Sequence, residues 1–383
     1  MHVVVSKKDL LKVLSRCQGV ADKKSTMPVL GNVLLEAKGS DRLRVAATDL
    51  YLAMSTTLPA EVQATGSVAV GARDLLERVR MMPEGPLAIS VSANAATTIR
   101  AVGSARRFTL HGVPGEEFPT LPEPDPNAVA LTLDARALSR LIAATYFSIS
   151  TDDTRLHLNS ALFEWDGEHV RMVTTDGHRL SKMEMLLKGK QASANLLIPL
   201  KGVLELKRLC DESASEARGE GGSDVNEIRI VQGGPNAFFE LAGLRLSVKL
   251  VDAQFPPYGQ VIPERSEHSV RAPRLELADA LKAVSVAASD RTGGIKLTLG
   301  GGKMRFESES PESGEGFDEV AVDYDGAEIS VGFNARYFLD VLGAVEDDEV
   351  VLGISGELDP AVIRPATASG NATYLAVVMP MRI

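Results

Sequence analysis

The chain has 383 residues, of which 44% are hydrophobic and 24% charged, and a net charge of −10. That length exceeds one ordinary core and fits two or three domains, while the composition excludes wholesale disorder. No apolar run nears the roughly 18 residues of a membrane span, and the first apolar run is too short for a signal peptide. Cys17 and Cys210 sit in helical apolar patterns, which read as core positions before any redox or metal role. The expected location is the cytoplasm.

In chain order, the first element is a helix opened by Ser6, a capping-type residue, with Leu10, Leu11, Val13, Leu14 and Cys17 at helical spacing. Strand-like alternation follows, as in Leu43-Arg44-Val45-Ala46. A second helical stretch, VGARDLLERVRMMPEG, comes next, and the segment closes on RFTLHGVPGEEFP. The order then repeats. Asp134 precedes ARALSRLIAATYFS, with Leu138, Leu141, Ile142 and Thr145 on its apolar face. Strand Val170-Arg171-Met172-Val173, helix IPLKGVLELKRLCDES and the closing RLSVKLVDAQFPPY follow. A third copy has ELADALKAVSVAAS, with Leu277, Leu281 and Val284, then Glu328-Ile329-Ser330-Val331, VGFNARYFLDVLGAVEDDE and TYLAVVMPMRI. Each second helix is expected to run roughly ten residues.

Three copies in matching order predict an α+β chain of three similar domains, 1–125, 126–258 and 259–383, each with two helices and antiparallel strands. The boundaries fall near the Pro-rich LPEPDPNA (121–128) and near YGQVIPERSEHS (258–269). The Gly- and charge-rich SASEARGEGGSD (213–224) reads as a hairpin or inserted loop. Near-equal domains suit a modular scaffold or ring better than a single-cleft enzyme.

The acidic total argues against a nucleic-acid partner, but binding depends on where cations sit. Lys8, Lys12 and Arg16 share one face of the first helix, opposite its leucines. Arg73 and Arg80 lie two turns apart on the second, diluted by Asp74 and Glu77. Arg136 and Arg140, then Lys201 and Arg208, repeat such spacings in the middle third. These are either ordinary solvated faces or, if the helices line one surface, a track that holds phosphates without reading bases. In the last third, Lys282 and Arg336 are offset by Glu276, Asp279 and Asp340.

The strings TDGHRL (175–180) and VVMPMRI (377–383), with MPVLGNVLLE near the start, resemble the bacterial DNA polymerase III beta clamp family, and the similarity runs from Met1 to Ile383. The resemblance implies the DNA-clamp fold, with two helices packed on outer antiparallel sheets in each domain and two chains joined head to tail in a ring. It implies a non-catalytic processivity factor with no cofactor. Expected partners are duplex DNA without sequence preference, a second copy, a clamp loader, the DNA polymerase III alpha subunit, and other polymerases and repair proteins with short linear motifs; no membrane is expected. The absence of a GxxxxGK[ST] loop agrees with a clamp that binds no nucleotide itself.

The family's DNA contacts carry over to Lys24, Arg73, Arg140, Lys201 and Arg208, while Leu200 and Gln260 stand where the family often has cations. The family's peptide pocket carries over to Arg155, Leu158, Thr175, Gly177, His178, Arg179 and Leu180 on one side. Pro256, Val261, Tyr337, Pro360, Val377, Met379, Pro380, Met381 and Arg382 supply the rest. His157 replaces a common aromatic, making the pocket's edge more polar. Ring closure puts Phe108 and Met82 opposite Val286, and Arg106 and Arg107 opposite Glu312, Glu315 and Glu319.

The residue types suit the role. Met and Pro form a deformable wall, and Arg155 and Arg179 can pair with a peptide carboxylate or carbonyl. Burying two large apolar anchors contributes roughly 3–6 kcal/mol, against about 8 kcal/mol for micromolar affinity, so polar contacts must supply the remainder. Alternatively, the Met/Pro end is a strand tucked into its own core. An enzyme reading starts from Asp176, His178 and His157, whose spacing fits no HExxH, CxxC or GxSxG pattern.

Overall fold

The computed structural model describes residues 1–22, 24–125, 128, 130–187, 193–217, 226–289, 292–367 and 370–382. Six helices occur among them: α1 (Lys7–Cys17), α2 (Ala72–Arg80), α3 (Ala135–Ala143), α4 (Leu200–Ala217), α5 (Arg274–Ser285) and α6 (Ala335–Ala344). They are the three helix pairs expected from the repeats. Ser6 does cap α1, its hydroxyl accepting from Asp9 N at 3.4 Å. Asn334 caps α6 in the same way, through Arg336 N at 3.0 Å. Each cap satisfies an amide that the first helical turn leaves without a carbonyl.

One element departs from expectation. α4 runs to Ala217, so residues 213–217 are helix and not loop. Helix-forming Glu and Ala continue past Ser213, whose buried hydroxyl bonds the Asn226 side chain at 2.6 Å; the first glycine of the stretch comes only at 219. The remainder of the expected loop, 218–224, lies outside the described residues, as do 126 and 127 of the first boundary segment.

By contacts the chain groups into two units, Met1–Ala135 with Glu212–Leu250, and Arg136–Asp211 with Val251–Ile383. The middle third is thus divided between them, because its strands pair outwards with both neighbours. In the first unit, strands run in the order Ala130–Asp134, Glu227–Gly233, Asn236–Leu241, Leu244–Lys249, Leu52–Ala64, His2–Ser6, Pro86–Val91, Ala96–Ala101, Arg107–His111. A branch through Arg42–Thr48, Asn32–Lys38 and Gly66–Gly71 leaves at Leu52–Ala64. In the second unit, eight strands run Ala194–Pro199, Ser160–Trp165, His169–Thr175, Arg179–Leu186, Ala372–Val378, Ala361–Pro365, Glu349–Ile354, His268–Pro273. A four-stranded sheet, Gly314–Ala321, Lys303–Ser310, Gly294–Gly300, Ile329–Asn334, completes it. The pairings are antiparallel throughout.

Helices pack in pairs, α1 with α2 and α5 with α6. The apolar face expected of α5, Leu277, Leu281 and Val284, is buried with Phe338, Val341 and Leu342 of α6 against Ile295, Leu297, Phe306 and Phe333. Phe333 and Phe338 stack with centroids 5.0 Å apart. No helix among the described residues is long and apolar enough to cross a membrane.

Truncating Phe338 removes a fully buried ring and leaves a cavity, so Phe338→Ala should lower the unfolding free energy by about 3–5 kcal/mol. Urea denaturation would measure this, and a midpoint unchanged from the parent would contradict the packing described.

Candidate functional site

The turn at 175–179 joins strands His169–Thr175 and Arg179–Leu186 and is held by its own side chains. Thr175 Oγ1 donates to the Arg179 carbonyl at 2.6 Å and accepts from Gly177 N at 3.1 Å. Asp176 Oδ1 accepts from His178 N at 2.9 Å and Arg179 N at 3.0 Å. Gly177 sits at φ +90°, a left-handed conformation that glycine adopts freely. Asp176 Oδ1 is thus held by two backbone amides.

Arg179 locks the turn to its surroundings. Its Nε bonds Asp176 Oδ2 at 3.0 Å, its Nη1 bonds Asp340 Oδ2 of α6 at 2.6 Å, and its Nη2 bonds the Phe147 carbonyl. The guanidinium carbon lies 4.5 Å from the Tyr337 ring centroid and 5.6 Å from that of Phe147. With its side chain only 10% exposed, Arg179 shapes the site from behind. The expectation that it pairs with a peptide carboxylate is corrected: its donors already face two carboxylates and a carbonyl. Burial, then the Asp176 charge, pushes the Tyr337 phenol up from its ordinary value.

The chain's end lies along this turn. Leu180 pairs with Val377 and Arg179 with Val378, and Met379 N donates to the His178 carbonyl at 2.9 Å. Met381 N then reaches the Gly332 carbonyl at 2.8 Å. Its thioether packs over Gly294, where a Cβ would lie 3.5 Å from the methyl carbon. The Met/Pro end is thus core in its strand and open beyond it. Val377 and Val378 are core, whereas Met379 is exposed.

A third wall comes from residues 255–262. Phe255, Tyr258 and Ile262 pack on Val173, Leu180 and Val377, with Leu162 and Leu375 beside them. Tyr258 Oη donates to Glu164 Oε1 at 2.7 Å, and Arg171 holds Glu164 at 3.2 Å and Glu184 at 2.6 Å. Burial, then Glu164, pushes the Tyr258 phenol up to about 12, so it remains a donor at neutral pH. This places Pro256 half-buried and Val261 exposed on the segment. Phe255, Tyr258 and Ile262 were missed, and periodicity offers no signal for them because the segment is extended apart from one 3-10 turn at Tyr258–Val261.

The structure therefore brings together Thr175, Gly177, His178, Arg179, Leu180, Tyr337, Val377, Met379 and the segment bearing Pro256 and Val261. Pro360 sits one residue ahead of Ala361, which pairs with Val378. Arg155, His157 and Leu158 belong to a neighbouring loop. There Arg155 Nε faces Asp152 Oδ2 at 3.3 Å, and Leu158 is buried. Pro380 is half-buried and Arg382 exposed.

The expected phosphate contacts divide into two classes. Lys8, Lys12, Lys24, Arg73 and Arg80 of the first unit, and Arg136 and Lys201 of the second, are exposed. Arg16 is not: it is mostly buried against Glu212, Nε to Oε1 3.0 Å. Arg73 is held by Glu77 at 2.6 Å, Arg140 by Glu346 at 3.1 Å, and Arg208 by Glu205. Carboxylates at i+4 of Arg73, at i−3 of Arg208 and on the remote Glu346 beside Arg140 offset these cations, so the local positive charge is weaker than spacing alone implied. A cleft of about 590 Å³ beside the Lys24 loop is lined by Asp22, Asp74 and Glu77 as well as Arg73, which makes it a poor anion site.

Among the expected ring contacts, Met82 is corrected. It is 2% exposed and belongs to its own core, while Met81 faces outwards. Arg106 Nη1 donates to the Met81 carbonyl at 2.5 Å. Arg107 and Phe108 lie on the terminal strand Arg107–His111, and Glu315 on the terminal strand Gly314–Ala321. Val286 is 80% exposed, as is much of the unforeseen Phe317; Glu312 is exposed, and Glu319 pairs with Lys303.

Comparison with known proteins matches the family model of the DNA polymerase III beta subunit in three pieces. Its N-terminal domain covers residues 1–122, its central domain 132–257 and its C-terminal domain 259–382. The beta sliding clamps of Pseudomonas putida and Escherichia coli K12 are 33% and 32% identical, with 100% of each chain covered. The crystal structure of the DNA polymerase III subunit beta from Pseudomonas aeruginosa superposes with a TM-score of 0.89 at 31% identity, over 100% of both chains. A Pseudomonas aeruginosa sliding clamp bound to griselimycin gives 0.90 at 31%, again over 100% of both chains. The beta subunit from Thermotoga maritima gives 0.89 at 27%, over 100% of this chain and 99% of that one.

Removing the Arg179 guanidinium would leave Asp176 and Asp340 without a counter-ion in a partly dry site. Arg179→Ala should therefore destabilise the fold by about 3 kcal/mol, with Arg179→Lys recovering only part, because an ammonium cannot serve three fixed directions. Urea unfolding of the two variants measures this; equal stability of Arg179→Ala and the parent would remove the assignment.

Proposed function

Since the chain belongs to the family of the DNA polymerase III beta subunit, the beta sliding clamps, we propose that two copies close head to tail around duplex DNA and tether polymerases through the site at 175–180 and 377–382. The protein is a non-catalytic processivity subunit. One observation carries the pocket: the His178 carbonyl holds Met379 N at 2.9 Å, which fixes an exposed methionine beside an open glycine turn. A thioether there adapts to several partner sequences.

The three repeats, 1–125, 126–258 and 259–383, are read as the three domains of each half-ring. The ring is read to close between strand Arg107–His111 of one copy and Gly314–Ala321 of the other. Each is the last strand of its sheet, with unpaired amides and carbonyls along its rim. Phe108, Val286 and Phe317 would supply apolar area there, and Arg106 and Arg107 would meet Glu312 and Glu315. Partners are taken to be polymerases, repair proteins and a clamp loader with short linear motifs, and the place of action the cytoplasm.

Topology, not affinity, keeps such a ring on DNA. Lys8, Lys12, Lys24, Arg73, Arg80, Arg136, Arg140, Lys201 and Arg208 are the cations assigned to phosphates. Exposed pairs such as Arg73–Glu77 contribute at most about 1 kcal/mol, so a phosphate can replace the carboxylate. At a screening length of about 10 Å in 0.1 M salt the attraction stays moderate, which permits sliding.

A fluorescent peptide carrying a polymerase clamp-binding motif should bind with roughly micromolar Kd by anisotropy, and the Met379→Ala, Met381→Ala double variant should lose that binding. A well-folded parent that does not bind sinks the pocket assignment. Arg106→Glu with Arg107→Glu should weaken self-association in sedimentation equilibrium; an unchanged dimer constant would discard that seam.

A further inference from the structure

One ion pair occurs in both units at the same place on the sheet. Glu36 and Arg44 face each other across strands Asn32–Lys38 and Arg42–Thr48, with Arg44 Nη1 3.3 Å from Glu36 Oε2. Glu164 and Arg171 do the same across Ser160–Trp165 and His169–Thr175, at 3.2 Å. Beside each pair a Phe-Pro string packs on the sheet. Phe118 and Leu121 lie on Leu34, Ala46 and Ala69. Phe255 and Tyr258 lie on Val173, Leu180 and Val377, next to Leu162. Leu34 pairs with Ala46 as Leu162 pairs with Val173, so the two clusters sit at equivalent positions.

The two strings differ in their last residue. Phe118-Pro119-Thr120-Leu121 ends on an aliphatic side chain, and Phe255-Pro256-Pro257-Tyr258 on a phenol. Leu121 has no donor for Glu36. Tyr258 Oη donates to Glu164 Oε1 at 2.7 Å, a bond strengthened by the charge of its acceptor. Arg171 keeps that carboxylate in place and is itself fixed by Glu184 at 2.6 Å and Asp166 at 2.5 Å. The bond matters because the segment has no ladder of its own. Residues 251–262 enter no strand among the described residues, and Pro256 and Pro257 have no amide hydrogen to donate. Apolar packing resists lifting the segment off the sheet, but it is non-directional and does not fix its position along it. Tyr258 opens the 3-10 turn Tyr258–Val261, which ends on the exposed Val261, and half-buried Pro256 stands two residues ahead.

We infer that Tyr258 is a positioning residue for peptide binding: its hydroxyl ties the wall bearing Pro256 and Val261 to the Glu164–Arg171 pair, so that the wall is set before a peptide arrives. This deepens the reading given above and rests on it. The hydroxyl is engaged by the sheet's own carboxylate and acts on a peptide only through the residues it anchors. A wall already in place spares the partner the cost of ordering it, and the gain appears as affinity. In the first unit the same ion pair carries no such tie, and there it is a cross-strand contact alone.

The test uses the full chain and the labelled clamp-motif peptide, read by anisotropy. Tyr258→Phe keeps the ring in its cluster and removes only the hydroxyl. It should unfold cooperatively close to the parent's midpoint, yet lose roughly fivefold or more in peptide affinity. Hydrogen exchange should rise in residues 254–262 and stay at the parent's level in strand Arg179–Leu186. Glu164→Ala should lower affinity as Tyr258→Phe does, and the double variant should bind no more weakly than either alone. Glu36→Ala, which breaks the matching pair of the first unit, should leave affinity at the parent's value. A Tyr258→Phe chain that binds within about twofold of the parent overturns the inference while the pocket stands. So do additive losses in the double variant, or an equal loss in Glu36→Ala. A Tyr258→Phe chain that cannot fold overturns it too, because the retained ring leaves the cluster filled. A parent that binds no peptide overturns the pocket itself and this inference with it.

Discussion

The guanidinium of Arg179 is where three separate stretches of the second unit meet. It holds Asp176 in the turn, Asp340 on α6 and the carbonyl of Phe147, while its faces contact two aromatic rings. A charge so nearly dry is tolerable only when its donors are paired. Once they are, the turn has one conformation. The His178 carbonyl then points at Met379 N, and the last strand is held in register with Leu180. The placement of the exposed methionine depends, bond by bond, on a cation that no ligand needs to touch.

Elsewhere the charges follow an opposite logic. Arg73 and Arg140 each keep a carboxylate within reach on a surface open to water, whereas Glu205, the partner of Arg208, is buried. Exposed pairs of this kind contribute at most about 1 kcal/mol. Arg16, mostly buried with Glu212, is the exception and is structural. A chain with net charge −10 thus still carries exposed cations, each of these set beside a carboxylate.

Much of this was legible before any coordinates. The apolar faces of α1 and α5 sit at helical spacing, Ser6 is readable as the cap of α1, and the strings TDGHRL and MPMRI mark the two halves of the site. Met82 was also readable: it follows Val79 by three and Leu75 by seven residues, continuing the buried face of α2 just past its end. The local partner of Arg73, Glu77, stands four residues away in the sequence. Other features were not legible, because their partners are remote. Arg16 and Glu212 are 196 positions apart, Tyr258 and Glu164 94 apart, and Arg179 and Asp340 161 apart. Periodicity reports a face, not what lies across from it. α4 outruns the expected ten residues because, in the Gly- and charge-rich stretch, the helix formers precede the glycines.

The pairing of strands across the sequence repeats has a mechanical side. Leu52–Ala64 is joined to Leu244–Lys249 through five paired residues, and Arg179–Leu186 to Ala372–Val378 through seven. Each link is a run of backbone hydrogen bonds inside a continuous sheet, and parting it would strand amides and carbonyls that side chains cannot satisfy. Inside each unit, the two sequence repeats that share a sheet therefore behave as welded plates rather than hinged beads.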